Sequence, residues 1–190
     1  MPELKIGSVQ INNGFAGQYY LPYSIGTLQA YFLKFSKNPN RYKFINPIYK
    51  RLLLDECVDY LKDCEIVVFS TYVWNINISL AVAKKLKEID STKFIIFGGP
   101  SAPDVSEKFL RKYNFIDCIS HQEGERTITS ILDNFPDSSW QEVAGISYLD
   151  KQDVFKQNKC LPKMRDITKL PSPYLAGVFD DLIKKNPNEQ

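Results

Sequence analysis

The feature that most constrains the fold is a series of short apolar runs that alternate with helical patterns. The run at 94–97 is entirely apolar and stops at two glycines, and the run at 65–69 is apolar after its first residue. Runs of this kind are typical of strands that are buried on both faces of a parallel sheet. Repeated alternation of strand and helix predicts an open α/β sheet with helices on both faces.

This alternation predicts five strands and five helices. The predicted strands are Leu4–Ile11, Arg41–Ile48, Glu65–Phe69, Phe94–Phe97 and Phe115–Ser120. The predicted helices are Ser24–Leu33, Arg51–Leu61, Ile76–Ile89, Asp104–Lys112 and Thr127–Leu132. A hairpin is predicted from Val143–Leu149 and Val154–Lys156, and prolines within 169–174 predict a stiff linker. We therefore expect a Rossmann-like (flavodoxin-like) five-stranded parallel domain at 1–138, followed by a hairpin and linker at 139–190.

In open α/β sheets, ligands bind beyond the carboxyl ends of the strands, where the strand order reverses. With the flavodoxin-like order 2-1-3-4-5, that point lies between the first and third strands. The loop 70–75 falls there and supplies two hydroxyls and an amide, from Ser70, Thr71 and Asn75. These side chains could hold a polar ligand, or they could simply cap the turn while Trp74 packs. Gly98-Gly99 similarly fits either a tight turn or the floor of a binding crevice.

The charge composition argues against two classes of partner. The 24 basic and 22 acidic side chains leave a net charge of only +2, which does not favour nucleic acid or an anionic membrane. No apolar run approaches the roughly 20 residues that span a bilayer, and the first residues lack a signal-peptide pattern. We therefore expect a cytoplasmic protein that binds neither nucleic acid nor membrane.

The sequence contains no recognisable catalytic or metal-binding motif. Its four cysteines form no CxxC or CxxxCxxC cluster, and with a single histidine, His121, the paired cysteine and histidine spacings typical of zinc sites are absent. Glu123 and Glu125 are adjacent acids without a paired base, which is weak support for acid–base catalysis. The GxGxxG and GxxxxGK[ST] fingerprints of nucleotide-binding loops are also absent. We therefore predict no catalytic residue and no metal ligand in this chain.

Several motifs nevertheless follow one another along the whole chain. They are YLPYSIGTL at 20–28, FSTYVWN at 69–75, GGPSA at 98–102, FIDCI at 115–119, EGERT at 123–127, and LPSPYL at 170–175 with Phe179-Asp180. Together and in this order they resemble the N-terminal cobalamin-binding domain of radical SAM enzymes. The last motif resembles the linker that leads to the catalytic barrel of those enzymes.

The resemblance implies a cofactor, a partner and a set of site residues. It implies a cobalamin-binding module whose parent is a radical SAM enzyme of methyltransferase type, with the barrel in cis or in trans. SAM and a [4Fe–4S] cluster would bind only in that barrel, because the CxxxCxxC motif is absent here. The implied cobalamin-binding residues are Ser70, Thr71, Tyr72, Val73, Trp74, Asn75, Gly98, Gly99, Pro100, Glu123, Gly124 and Glu125.

The resemblance also implies more detailed roles for these groups. The corrin would lie over the strand ends, and the nucleotide tail would pass the backbone at Gly98 and Gly99. Residues 72–74 would cover the lower face of cobalt. The Asp-x-His-x-x-Gly motif is absent after the first strand, so the cobalamin is expected base-off, with no histidine as lower ligand.

Two other hypotheses remain open at this point. The chain could keep the fold without the cofactor and act as a docking domain for a radical SAM barrel. It could instead be a flavodoxin-like protein that binds a small phosphorylated ligand at 70–75, although it lacks a catalytic constellation for such a role.

Overall fold

The structure is a computed structural model that describes residues 3–14, 18–136 and 140–185. Within these ranges one sheet runs in the order β2-β1-β3-β4-β5-β6-β7. Its strands are β1 (Leu4–Val9), β2 (Tyr42–Phe44), β3 (Ile66–Ser70), β4 (Phe94–Gly98), β5 (Cys118–Ser120), β6 (Ile146–Leu149) and β7 (Phe155–Gln157). The α-helices are α1 (Tyr23–Phe35), α2 (Leu54–Leu61), α3 (Ile76–Ile89), α4 (Glu107–Lys112), α5 (Gly124–Asn134) and α6 (Asp180–Lys185).

The topology confirms the predicted fold class. The first five strands are parallel and follow the order 2-1-3-4-5, as expected for a flavodoxin-like sheet. The predicted hairpin is β6–β7, and it extends the same sheet because β6 pairs antiparallel with β5. The predicted domain boundary at 138/139 lies outside the described residues and stays a prediction.

Three predicted strands are shorter than expected: the first ends at Val9, two residues early, and the second and fifth are each only three residues long, for local reasons. The second strand pairs only over Tyr42–Phe44, because Pro47 has no N–H to give to a sheet ladder. Beyond this break, Ile48 returns to β1 as an isolated bridge to Val9. The fifth strand begins only at Cys118, since the amide of Ile116 turns back to the carbonyl oxygen of Tyr113.

Alternating side chains of the sheet build two separate core layers. On one face, Phe69 and Phe97 pack in a cluster that includes Val82 and Leu86 of α3. On the other face, the strands meet α1 and α5, where Phe32 and Ile131 belong to the core. Helices α1 and α5 also contact each other, so they form a continuous wall over this second face.

The chain after β7 returns to the body of the protein. Phe179 and Leu182 are buried in a small apolar cluster with Leu21 and Tyr49. The Phe179 ring lies against Gly26 of α1, where a β-carbon would come within 2.2 Å of Cζ of the ring. The predicted linker is therefore fixed to the sheet domain at its far end. In the described residues, no helix is long and apolar enough to cross a membrane.

Candidate functional site

A cavity of about 370 Å³ opens at the carboxyl edge of the sheet, between strands β3–β5 and the first turns of α1 and α5. Val68 and Ile96 form an apolar floor, and Thr27 and Leu28 of α1 stand opposite Ile128 of α5. This is the edge at which the sequence predicted a ligand, and the volume falls within the usual range for small-molecule sites.

The cavity exists because three neighbouring strands end in small residues on the face that carries α1 and α5. Ser70 pairs with Gly98, and Ser120 follows next across the sheet. A β-carbon added at Gly98 would lie 3.4 Å from the Ser120 carbonyl oxygen and 3.5 Å from the Ser120 β-carbon, which are ordinary contacts. The protein itself would therefore tolerate a side chain at Gly98, and its absence leaves space in the cavity.

Ser120 provides a second indication that the cavity holds a polar group. Its hydroxyl oxygen is buried and has no hydrogen-bond partner among the described residues, although the residue lines the cavity. Buried polar atoms in folded proteins nearly always have a partner, and an unpaired one calls for an explanation. A ligand in the cavity would provide that partner.

Gly99 has a different role from Gly98. Its φ of +93° is a conformation that favours glycine, and a β-carbon there would lie 2.7 Å from the Thr71 carbonyl oxygen. The backbone N–H and the hydroxyl of Thr71 both donate to the Gly98 carbonyl oxygen, each at 2.7 Å. Of the two sequence interpretations, the tight turn applies to Gly99 and the crevice floor applies to Gly98.

Asn75 holds the β3 loop, the segment 70–75 that follows β3, against the chain just beyond β1. Its side chain is fully buried, and Nδ2 donates to the Ile11 carbonyl oxygen at 3.0 Å and to the Ser70 carbonyl oxygen at 3.1 Å. Its Oδ1 accepts from the Tyr72 amide at 2.8 Å. Asn75 precedes α3, but its side chain bonds to this loop rather than to the first helical amides. Thr71 and Asn75 thus shape the loop, and neither lines the cavity.

Tyr72 and Trp74 form an aromatic shelf beside the cavity mouth. Their rings are stacked with centroids 4.7 Å apart, and the Trp74 indole N–H donates to the Ile11 carbonyl oxygen at 3.1 Å. The Tyr72 hydroxyl shares a hydrogen bond of 2.8 Å with the Ser24 hydroxyl of α1. Val73 between them is 79% exposed. The shelf is therefore rigid at its base and presents apolar surface to solvent.

The first turn of α5 forms the opposite rim, with Glu123, Gly124 and Glu125 lining the cavity. The Glu123 carboxylate accepts from the amide of Met164 at 2.8 Å and from the Arg126 guanidinium at 3.3 Å. Gly124 permits a close approach of α5 to α1, because a β-carbon there would lie 2.9 Å from a methyl carbon of Leu28.

Eight of the twelve predicted site residues therefore line one cavity. They are Ser70, Tyr72, Gly98, Gly99, Pro100, Glu123, Gly124 and Glu125. The other four do not line the cavity, although they belong to the loop at 70–75 that follows β3. They are Thr71, Val73, Trp74 and Asn75. The predicted contacts of all twelve residues with a cofactor stay predictions.

Comparison with known proteins yields relatives of one kind, although no known family profile matches the chain. The chain is 30% identical over 170 residues to the cobalamin-dependent radical SAM methyltransferase TokK of Streptomyces tokunonensis. It is 27% identical over 168 residues to 2-(S-pantetheinyl)-carbapenam-3-carboxylate methyltransferase of Streptantibioticus cattleyicolor. Each match covers 86% of this chain but only 24% of the relative.

The chain is related to one segment of cobalamin-dependent radical SAM enzymes. This confirms the resemblance predicted from the motifs. The chain spans about a quarter of the length of the relatives that it matches.

Solved structures of the same kind share the fold. The cobalamin-dependent S-adenosylmethionine radical enzyme OxsB, with aqua-cobalamin and S-adenosylmethionine bound, aligns with a TM-score of 0.73 at 20% identity, over 96% of this chain and 25% of that chain. The radical S-adenosylmethionine methyltransferase TsrM of Kitasatospora setae aligns with a TM-score of 0.61 at 9% identity, over 82% of this chain and 30% of that chain.

The residues that sequence reasoning missed come from helix faces and from β5. Thr27 and Leu28 fall in the motif at 20–28, but nothing in that motif indicated which side chains face a ligand. Ser120 could have been found, because it ends a strand beside Gly98 just as Ser70 does. Leu170, from the segment after β7, also lines the cavity; it begins the motif at 170–175, but that motif indicated a linker and not a contact with the ligand.

His121 and the buried cysteines lie outside the cavity lining. The His121 imidazole Nε2 is 2.7 Å from the Ser147 hydroxyl, and burial lowers the pKa of this histidine. Cys57, Cys64 and Cys118 are buried free thiols, and burial raises the pKa of Cys64 to about 11. Among the described residues, no three acidic, histidine or cysteine side chains are grouped so that they could hold a metal ion.

Proposed function

We propose that this chain is a cobalamin-binding module that holds the corrin for a radical SAM catalytic domain. The observation that carries the proposal is the cavity at the carboxyl edge, lined by residues of the 69–75, 98–102 and 123–127 motifs together. The relationship to cobalamin-dependent enzymes supports the same ligand.

The shape and chemistry of the cavity suit the nucleotide tail of cobalamin. The apolar floor of Val68 and Ile96 fits a flat aromatic base, and the hydroxyls of Ser70 and Ser120 can bond its sugar and phosphate. The open position at Gly98 lets that base approach the β4 backbone. About 370 Å³ suffices for the tail, so the larger corrin would remain outside, above the strand ends.

The aromatic shelf would then lie beneath the corrin. Tyr72 and Trp74 of the shelf, with Val73 between them, present apolar surface next to the cavity mouth, and Trp74 is held in place by stacking and by its indole hydrogen bond. In that position a rigid apolar surface would keep water away from the lower face of the cofactor. Bound cobalamin supplies a methyl group for transfer in methyltransferases of this kind.

We further propose that cobalamin binds base-off, without a histidine ligand. His121 is the only histidine of the chain, and its ring is buried beside Ser147 rather than in the cavity lining. Electron paramagnetic resonance of the protein loaded with cob(II)alamin tests this, because a nitrogen ligand below cobalt splits the cobalt lines. We expect no nitrogen splitting, and the spectrum of His121→Gln should be the same. Nitrogen splitting that disappears in this variant would contradict the proposal.

The partner would be a radical SAM domain that carries SAM and a [4Fe–4S] cluster, in cis or in trans. The relatives are about four times longer than this chain, so their methyl transfer belongs to the whole protein. We therefore assign no catalytic step to the residues described here, and their role is to bind and orient the cofactor.

Retention of hydroxocobalamin tests the main proposal. The folded protein is mixed with hydroxocobalamin, desalted, and its visible spectrum recorded. We expect corrin absorbance near one equivalent for the natural chain and almost none for Gly98→Leu, which fills the cavity. Ala81→Leu, on the α3 side of the sheet, is the matched control and should retain the cofactor. If the natural chain loses all corrin on desalting, it is better described as a docking domain without cofactor.

A further inference from the structure

The segment from Pro162 to Phe179, which we call the strap, is attached to both walls of the cavity. Its first anchor is on α5, where the amide of Met164 donates to Glu123 and the Arg126 guanidinium donates to the Pro162 carbonyl oxygen. These bonds join the strap to the first turn of α5, which forms one rim of the cavity.

The second anchor of the strap is on α1. Phe179 is fully buried, and its ring occupies the space that a side chain at Gly26 would need. Gly26 lies one residue before Thr27, and both Thr27 and Leu28 line the cavity. The interior glycine of α1, which is unfavourable for helix stability, thus allows the strap to dock beside the opposite wall.

Between the anchors, the strap contacts the cavity itself. Leu170 lines the cavity, and the Tyr174 ring lies 6.4 Å from the ring of Tyr23, another lining residue. Tyr174 also meets the Phe179 ring edge-on at 5.2 Å. The outer side of the strap is open to solvent, since Leu175 is 93% exposed. Contacts on the inner side alone therefore hold the strap closed.

We propose that the strap closes the cavity over the bound tail of cobalamin and that Phe179 is the positioning residue that keeps it closed. This inference rests on the proposed cobalamin binding. Release of the Phe179 anchor frees Leu170 and Tyr174 from the cavity mouth, and the cofactor then exchanges. The strap thereby sets how long the cofactor stays bound, without touching cobalt.

The rate of cofactor release tests this role. Protein loaded with hydroxocobalamin is mixed with an excess of a competing cobalamin-binding protein, and release is followed by visible absorbance. Phe179→Ala and Gly26→Ala should each release the cofactor about tenfold faster, because each variant disrupts the contact between the Phe179 ring and α1. Leu175→Ala, on the exposed side, should release it at the natural rate.

A double variant separates the anchor from general destabilisation. The three atoms nearest to the methyl group of Gly26→Ala all belong to the Phe179 ring, so in a Phe179→Ala background this substitution should have no further effect on release. Phe179→Leu retains apolar bulk and should release at an intermediate rate, which also covers the case in which an alanine variant fails to fold. A lower melting temperature with unchanged release in these variants would overturn the proposal.

Hydrogen exchange of the strap distinguishes this proposal from the cobalamin proposal. In protein without cofactor, the amides of 165–179 should exchange faster in Phe179→Ala than in the natural chain. A natural chain that retains no corrin contradicts both proposals, even if the strap is protected from exchange. Retained corrin together with a strap whose amides are not protected from exchange contradicts only the proposed role of the strap.

Discussion

The two faces of the same strands differ sharply at the carboxyl edge. On the α3 side, Phe69 and Phe97 stack with centroids 4.8 Å apart in a closed core. On the α1 and α5 side, the residues next along these strands are Ser70 and Gly98, and a cavity of about 370 Å³ remains. Because successive side chains of a strand point to opposite faces, one sequence stretch specifies both surfaces. One face contributes stability, and the other leaves room for a ligand.

The largest expected effect on stability comes from a substitution in the closed core on the α3 side. Phe97→Ala removes a fully buried ring and should lower the free energy of unfolding by about 3–5 kcal/mol. The neighbouring Gly98→Ala should change it by less than about 1 kcal/mol, because the added methyl group meets only ordinary contacts. Urea unfolding of both variants measures the contrast. Equal losses would show that the two faces are equally packed.

Gly99→Ala should have the next largest effect, on the loop between the two faces. The positive φ and the approach to the Thr71 backbone both oppose a side chain, and we expect a loss of about 2 kcal/mol. The same substitution at Gly98 is the matched control. If Gly99→Ala were as stable as Gly98→Ala in the same unfolding experiment, the assignment of the tight turn to Gly99 would be wrong.

A smaller effect is expected from pH, through His121. Burial lowers its pKa in the folded protein, so the unfolded chain binds more protons below its usual pKa of about 6.5. The contribution of His121 to stability should therefore be constant above about pH 7 and decrease as the pH falls from about 6.5 towards 5, by at most about 1.4 kcal/mol per pH unit. His121→Gln, compared with the natural chain by thermal unfolding at pH 7.5 and 5.5, should lose this dependence. An unchanged dependence in the variant would assign it to other groups.

The smallest effect on stability is expected at Ser120. Ser120→Ala removes a buried hydroxyl that has no partner among the described residues, so stability should rise or fall by less than about 1 kcal/mol. Retention of hydroxocobalamin should nevertheless decrease if this hydroxyl bonds the cofactor. Thermal unfolding and the desalting experiment are run on the same preparation. Unchanged retention would show that Ser120 is not a ligand-binding residue.

The fold could be predicted because its signals are local. Apolar runs such as 94–97 and the amphipathic pattern at 76–89 predicted five parallel strands with intervening helices, and the α3 bounds agree with the structure. The strand order came from the flavodoxin-like fold class and not from these local patterns. The later hairpin was also predicted, although its antiparallel pairing to β5 was not. That pairing depends on which sheet edge is free after the first five strands have assembled.

The site could be predicted only in part, because its walls come from distant segments. Ser70 and Gly98 were found, since the ends of adjacent parallel strands must meet at one edge. Asn75 looked like a ligand or a cap, but its amide donates to the carbonyl oxygen of Ile11, two residues beyond β1, and only the packed fold brings these groups together. Gly26 lies within the helix predicted at Ser24–Leu33, and the Phe179 ring that explains a glycine there lies more than 150 residues away.

The hairpin β6–β7 has a consequence for the solubility of the isolated protein. Without the hairpin, β5 would be an edge strand that exposes the unpaired N–H and C=O groups of Cys118–Ser120. Exposed edge strands pair with strands of other chains and so lead to aggregation. With the hairpin, the edge moves to the three residues of β7, which carry Lys156 and the exposed Gln157. A version of the chain that ended near residue 138 would keep the five parallel strands but lose this protection, so it should aggregate however well it binds its ligand.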